Sequence, residues 1–166
     1  MPALYKGCMK KIPIRPFVYD PPVIPPYRII HQDDDLLVLD KPAGLLSVPG
    51  RLAEFKDSLS ARVQKDFPTA TVVHRLDLAT SGLLIMPLTP MAHKHLGQQL
   101  EYRKVSKTYI ADIFGRPDKT GGTIDAPLIV DWPNRPRQIV DRDNGKNART
   151  HYRCLSSNGS ITRVLL

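Results

Sequence analysis

Proline is the residue that most limits what this chain can become. Seven of its 16 prolines fall in the first 26 residues (Pro2, Pro13, Pro16, Pro21, Pro22, Pro25 and Pro26), among Lys6, Lys10, Lys11 and Arg15. Each proline fixes φ and removes a backbone donor, so residues 1–26 are expected as an extended basic tail outside the core. Such a tail either touches phosphates or is a dispensable leader. Further on, Pro42 and Pro49 mark turns, Pro68 ends a helix, and Pro90 suits the first position of another.

Order is expected from Tyr27, giving one portion over 27–166. Arg28-Ile29-Ile30-His31 and Leu36-Leu37-Val38-Leu39 read as two strands joined by the polar turn Gln32-Asp33-Asp34-Asp35. A helix follows, capped by Asp57 or Ser58, with Leu59, Val63 and Phe67 on one face. Thr71-Val72-Val73 leads into a polar segment, and Leu83 to Met86 reads as a buried strand. Thr89-Pro90 starts a helix that carries Ala92, Leu96 and Leu100 on one face. Residues 107–114 alternate like a strand, 118–122 form a loop, and Ser157-Asn158-Gly159 turns a final hairpin. Strands with two intervening helices mean the α+β class.

A chain of 166 residues with 42% hydrophobic content can form a core without disulfides or metals. Cys8 and Cys154 stand far apart and make no CxxC pair, which argues against a disulfide framework and a cysteine zinc site. His93 and His95, two apart on a helix, point to different faces, so no metal is expected. No apolar run reaches the roughly 20 residues of a bilayer span, and no signal-peptide core opens the chain. A reducing cytoplasm is the expected location, with no membrane partner. The formal net charge of +8 favours a polyanion. The positive charge gathers late, at Arg103, Lys104 and Lys107 and then at Arg135, Arg137, Arg142, Lys146, Arg149 and Arg153, so phosphate contacts are expected in the second half.

The segment that offers chemistry is His74-Arg75-Leu76-Asp77, followed by Thr80-Ser81-Gly82 and a buried strand. Loops between core elements are where catalytic groups are commonly mounted. On residue type alone, Asp77 is a nucleophile, a base, a turn cap or the salt-bridge partner of Arg75, and the plain ion pair is the commoner arrangement. A serine-hydrolase set of Ser81, His74 and Asp77 lacks a G-x-S-x-G elbow. Gly44, Gly50, Gly121 and Gly122 make neither a P-loop nor a dinucleotide fingerprint.

The string HRLDLATSGLLIMPLT resembles the signature H-R-L-D-x-x-T-S-G-[LV]-[LI] of the RluA family of RNA pseudouridine synthases. LDKPAGLLSVPGR at 39–51 resembles the family's K-P-x-G segment, and Lys107-Thr108-Tyr109 its K-x-Y strand. PLIVDWPNRPRQ at 127–138 resembles the subgroup that modifies both large-subunit rRNA and tRNA anticodon arms. The resemblance implies a mixed, mainly antiparallel sheet with flanking helices, and isomerisation of uridine in rRNA, tRNA or both. It implies Asp77 as the nucleophile, Arg75 as the residue that fills the gap left by the flipped base and pairs with the aspartate, and Tyr109 as the ring that packs against the uracil and helps in proton removal. Lys41 is expected at the wall of the site or in contact with substrate, with a solvated surface lysine as the alternative. His74 is grouped with the substrate-binding residues. Trp132 and Arg135, in a proline-broken loop, are expected to recognise RNA shape, or to form a hydrophobic plug beside a surface charge. No cofactor is implied, since the reaction is redox-neutral, and full-length members are expected as monomers.

One departure stands out. The family pattern continues with a G-R-[ST]-H-Q-[IL]-R-x-H segment carrying a second active-site arginine, whereas this sequence reaches Leu166 before it. The expectation is therefore the N-terminal part of the fold, with an apolar edge or face exposed on the last strand. An RNA-binding remnant without turnover is the alternative to an enzyme. A basic protein with no RNA role requires the motif to be chance.

Overall fold

The structure, a computed structural model, describes residues 18–135 and 137–166. Expectations for residues 1–17, Cys8 among them, lie outside the described residues. The portion expected as one piece divides into two compact units, the first through Val105 and the second from Ser106 to Leu166.

In the first unit, strands β1 (Arg28–Gln32), β2 (Leu36–Lys41) and β3 (Gly82–Pro87) form an antiparallel sheet in that order. The polar turn between β1 and β2 closes on Asp33, whose carboxylate accepts from the amides of Asp35 and Leu36. Strand periodicity sends alternate residues of β2 inward, and these are Leu37, Leu39 and Lys41. Leu84 and Met86 of β3 face the same interior, where Leu45, Leu59, Val63 and Ala70 complete the core. Helix α1 (Leu59–Asp66) starts at Ser58, whose hydroxyl accepts from Ala61 N at 3.2 Å. Helix α2 (Pro90–Glu101) is capped by Thr89, again through the third amide on, with Pro90 at its first turn. Its Ala92, Leu96 and Leu100 are half-buried, so this face covers the unit without entering the core.

Residues 18–26 depart from the expected free tail. Tyr19 donates to Asp57 O at 2.8 Å and accepts from Leu46 N at 3.0 Å. The guanidinium of Arg62 donates to Pro22 O and Pro26 O at 2.7 and 3.0 Å while forking onto Asp57. Prolines lack a donor but keep an acceptor, and a buried α1 arginine uses two of those carbonyls.

The second unit holds β4 (Ile110–Phe114), β5 (Gly121–Asp125), β8 (Arg149–Ser157) and β9 (Ile161–Leu165) in the antiparallel order β4-β9-β8-β5. Strands β6 (Leu128–Val130) and β7 (Gln138–Val140) form a separate two-stranded hairpin. Asn158 accepts from the amides of Ser160 and Ile161, and Gly159 takes φ +91°, which closes the β8–β9 turn expected from the sequence. The last strand has no open edge, because β9 lies between β4 and β8. What is exposed is a face: Phe114, 96% exposed, sits in register with Ile161, and Ile110 with Leu165. On that face Asp112 pairs with Arg163 and Asp125 with Arg149, each across neighbouring strands. The strand expected from 107 is regular only from Ile110, although Tyr109 still exchanges both backbone hydrogen bonds with Leu166.

Candidate active site

The polar loop of the first unit is built so that every second residue is held from within. Leu76 is buried between the exposed Arg75 and Asp77. Both backbone groups of Leu76 are satisfied by one side chain: Ser47 Oγ donates to Leu76 O at 2.6 Å and accepts from Leu76 N at 3.1 Å. On the other side of Asp77, Leu78 O accepts from Gly44 N at 2.8 Å and from Lys41 Nζ at 3.3 Å. Thr80 N donates to Asp77 O at 3.1 Å and closes the turn. The 41–47 loop thus grips the chain immediately before and after Asp77, and the carboxylate is left facing outward. Gly44 sits at φ +83°, a conformation an L side chain strains to adopt, which suits glycine at this point of the grip.

Lys41 is not a surface lysine. It is the third inward residue of β2 after Leu37 and Leu39, with no accessible surface. Its ammonium donates to Pro42 O at 2.9 Å, Leu45 O at 2.6 Å and Leu78 O at 3.3 Å, which engages three donors on three carbonyls. Burial pushes its pKa below the ordinary lysine value, and the negative charge of Asp77 acts in the opposite direction. Lys41 therefore acts from beneath the loop, as a brace of three carbonyls.

No ion pair joins Arg75 to Asp77 among the described residues. Neither the plain salt bridge favoured by residue type nor the pairing implied by the resemblance is formed among the described residues. His74 is half-buried, and its Nε2 accepts from the amide of Ile85 on β3 at 3.0 Å. That contact fixes the head of the loop against the sheet and assigns the ring proton to Nδ1. It gives His74 a structural duty rather than an open binding edge at Nε2, and the serine-hydrolase arrangement loses its base.

The remaining expected residues belong to the second unit. Tyr109 precedes β4 and is partly exposed. Trp132 and Arg135 are brought together in the loop between β6 and β7, the guanidinium carbon 4.1 Å from the ring centroid. The first unit thus unites Lys41, His74, Arg75 and Asp77 in one loop system. Ser47 and Gly44 escaped sequence reasoning, because only the pairing of two distant loops reveals their work. No helix among the described residues is long and apolar enough to cross a membrane.

Comparison with known proteins fits this arrangement. A family model described as RNA pseudouridylate synthase matches residues 35–166. The dual-specificity RNA pseudouridine synthase RluA of Escherichia coli (strain K12) is 50% identical over 134 residues, covering 81% of this chain and 61% of that protein. RluA of Yersinia pestis is 51% identical over 139 residues, covering 83% of this chain and 68% of that protein. The chain thus spans about three-fifths to two-thirds of the length of these relatives. Among solved structures, human RNA Pseudouridylate Synthase Domain Containing 4 superposes with a TM-score of 0.64 at 24% identity, over 82% of this chain and 57% of its own. Human RNA Pseudouridylate Synthase Domain Containing 1 gives 0.66 at 22% identity, over 91% and 60%. Those two support the fold; the family match over residues 35–166 and the identity to the RluA proteins show that this chain belongs to the RNA pseudouridylate synthase family.

Proposed function

We propose that this chain carries the nucleophile-bearing part of an enzyme that isomerises uridine to pseudouridine in RNA, with Asp77 as the nucleophile. The observation that supports this reading is the exposed position of Asp77 on a loop gripped immediately before and after it by Ser47, Gly44 and Lys41.

The reaction breaks the bond from C1′ to N1, turns the detached uracil, forms a bond from C1′ to C5, and moves a proton from C5 to N1. It is redox-neutral, so no cofactor is required. A uridine must first leave its stack, at a cost of a few kcal/mol. Arg75, exposed beside Asp77, has the planar cation suited to fill the vacated stack and meet phosphates. Tyr109 offers a partly exposed ring on which a uracil can lie. Lys41 and His74 hold the loop rather than the substrate. Large-subunit rRNA and tRNA anticodon arms are the substrates we assign, in keeping with the dual-specificity name of the relatives.

Incubation of the chain with rRNA and tRNA transcripts, followed by chemical mapping of pseudouridine, tests the reading. Product is expected at a defined uridine and none from Asp77→Ala. RNA binding by both proteins with product from neither would instead identify an RNA-binding chain without turnover.

A further inference from the structure

The loop that joins β6 to β7 carries an arrangement the uridine chemistry leaves unused. Trp132, the only tryptophan of the chain, is 65% exposed. A buried indole contributes more apolar area than almost any other side chain, so an exposed one on a short hairpin does little for the fold. The hydrophobic plug is thereby ruled out. The loop is nevertheless internally hydrogen-bonded. Asn134 donates from Nδ2 to Asp131 Oδ2 at 2.8 Å and from N to Asp131 O at 3.0 Å, while Asp131 N donates to Arg137 O and Arg137 N to Asn134 O. Pro133 fixes φ directly after the indole. These bonds leave the guanidinium of Arg135 out of the backbone scaffold, and among the described residues it pairs with no carboxylate. Its carbon lies over the indole, 4.1 Å from the ring centroid.

On the reading that the substrate is RNA, we propose that Trp132 and Arg135 form a stacking platform for one unpaired base of that RNA, a subsite separate from the reacting uridine. A base has a π-face whatever its identity, and aromatic rings and guanidinium planes both stack on it. The guanidinium also keeps donors free for a phosphate, and exposed Arg137 adds a second cation on the same loop. A paired base keeps its faces covered within the duplex, so the platform selects a loop or bulge nucleotide. A second cationic ligand is disfavoured, because the chain's own guanidinium already occupies the ring.

The single tryptophan makes the test local. The 166-residue chain is titrated with a stem-loop RNA, the same stem-loop with abasic loop positions, and a perfect duplex of equal length. Binding is followed by anisotropy of labelled RNA and stacking by Trp132 fluorescence. Saturable quenching is expected with the stem-loop, and little with the abasic loop or the duplex. Arg135→Ala is expected to weaken stem-loop binding by about tenfold, and Arg135→Lys, which keeps the charge and loses the plane, to restore only part of it. Asp77→Ala is expected to quench like the parent, so loss of product and loss of stacking are read separately. Stem-loop binding with Trp132 unquenched, equal quenching by the duplex, or full affinity in Arg135→Lys would each overturn the platform while leaving Asp77 as nucleophile. Absence of any RNA binding would overturn both.

Discussion

Asp77 depends on a hydroxyl two loops away. Ser47 Oγ is the partner of both backbone groups of Leu76, in a place where water has little access. Removing that hydroxyl strands a buried amide and a buried carbonyl, and each such group costs about 1–3 kcal/mol when left unmade. Ser47→Ala is therefore expected to lower stability by about 2 kcal/mol, a fall in Tm of about 4–8 °C for a chain of this size. Calorimetry or a circular-dichroism melt measures it, and an unchanged Tm would mean that Leu76 does not rely on Ser47. The family was legible in the sequence because the string around Asp77 and Arg75 is long and irregular. Ser47 and Lys41 were not, since serine in a Val-Pro-Gly turn and lysine beside proline are more often solvated. The burial of Lys41 is visible only once Leu36–Lys41 is known to be a strand whose inward residues are 37, 39 and 41.

Among the elements, α1 does more than cover the sheet. Arg62 on its buried side binds Asp57 through two hydrogen bonds of 2.7 and 2.6 Å and holds the carbonyls of Pro22 and Pro26. The guanidinium holds the Asp57 carboxyl below the usual carboxylate range. A depressed folded pKa gives stability that is present above the unfolded value, about 3.9, and is lost as pH falls through the folded one. Asp57 is 43% exposed in its side chain, so solvent screening reduces the effect to about 1–2 kcal/mol. Asp57→Asn is expected to be less stable by that amount at pH 7 and to lose less than the parent between pH 7 and pH 3. Urea unfolding at the two pH values checks this, and equal acid losses in both proteins would refute it. Helix starts were legible, since Ser58 and Thr89-Pro90 cap as their chemistry dictates. The anchoring of 18–26 was not, because proline was weighed for the donor it lacks and not for the carbonyl it keeps. The place of β9 inside its sheet was equally hidden, as strand order depends on partners distant in sequence.

At the scale of the whole molecule, apolar burial is unevenly divided. The core cluster of Leu37, Leu39, Leu45, Leu59, Val63, Ala70, Leu84 and Met86 lies wholly in the first unit. In the second unit the side chains burying most completely are Thr162 and Val164, while Ile110, Phe114, Ile139, Val140 and Ile161 stay exposed. A hydrophobic content of 42% concealed this, because composition does not say where the apolar residues gather. Local opening costs follow buried contacts, so the two sheets are expected to open independently and at different free energies. In hydrogen–deuterium exchange of the full chain, amides of β2 and β3 are expected to be the slowest. Those of β4, β5, β8 and β9 are expected to exchange at least about tenfold faster, which corresponds to about 1.4 kcal/mol less to open. Equal protection in both sheets would mean that the second unit draws stability from something other than its own core. A difference in the expected direction carries a functional consequence. The loop system around Asp77 would then stand on the rigid unit, and the Trp132–Arg135 hairpin on the one that yields more readily to the shape of an RNA.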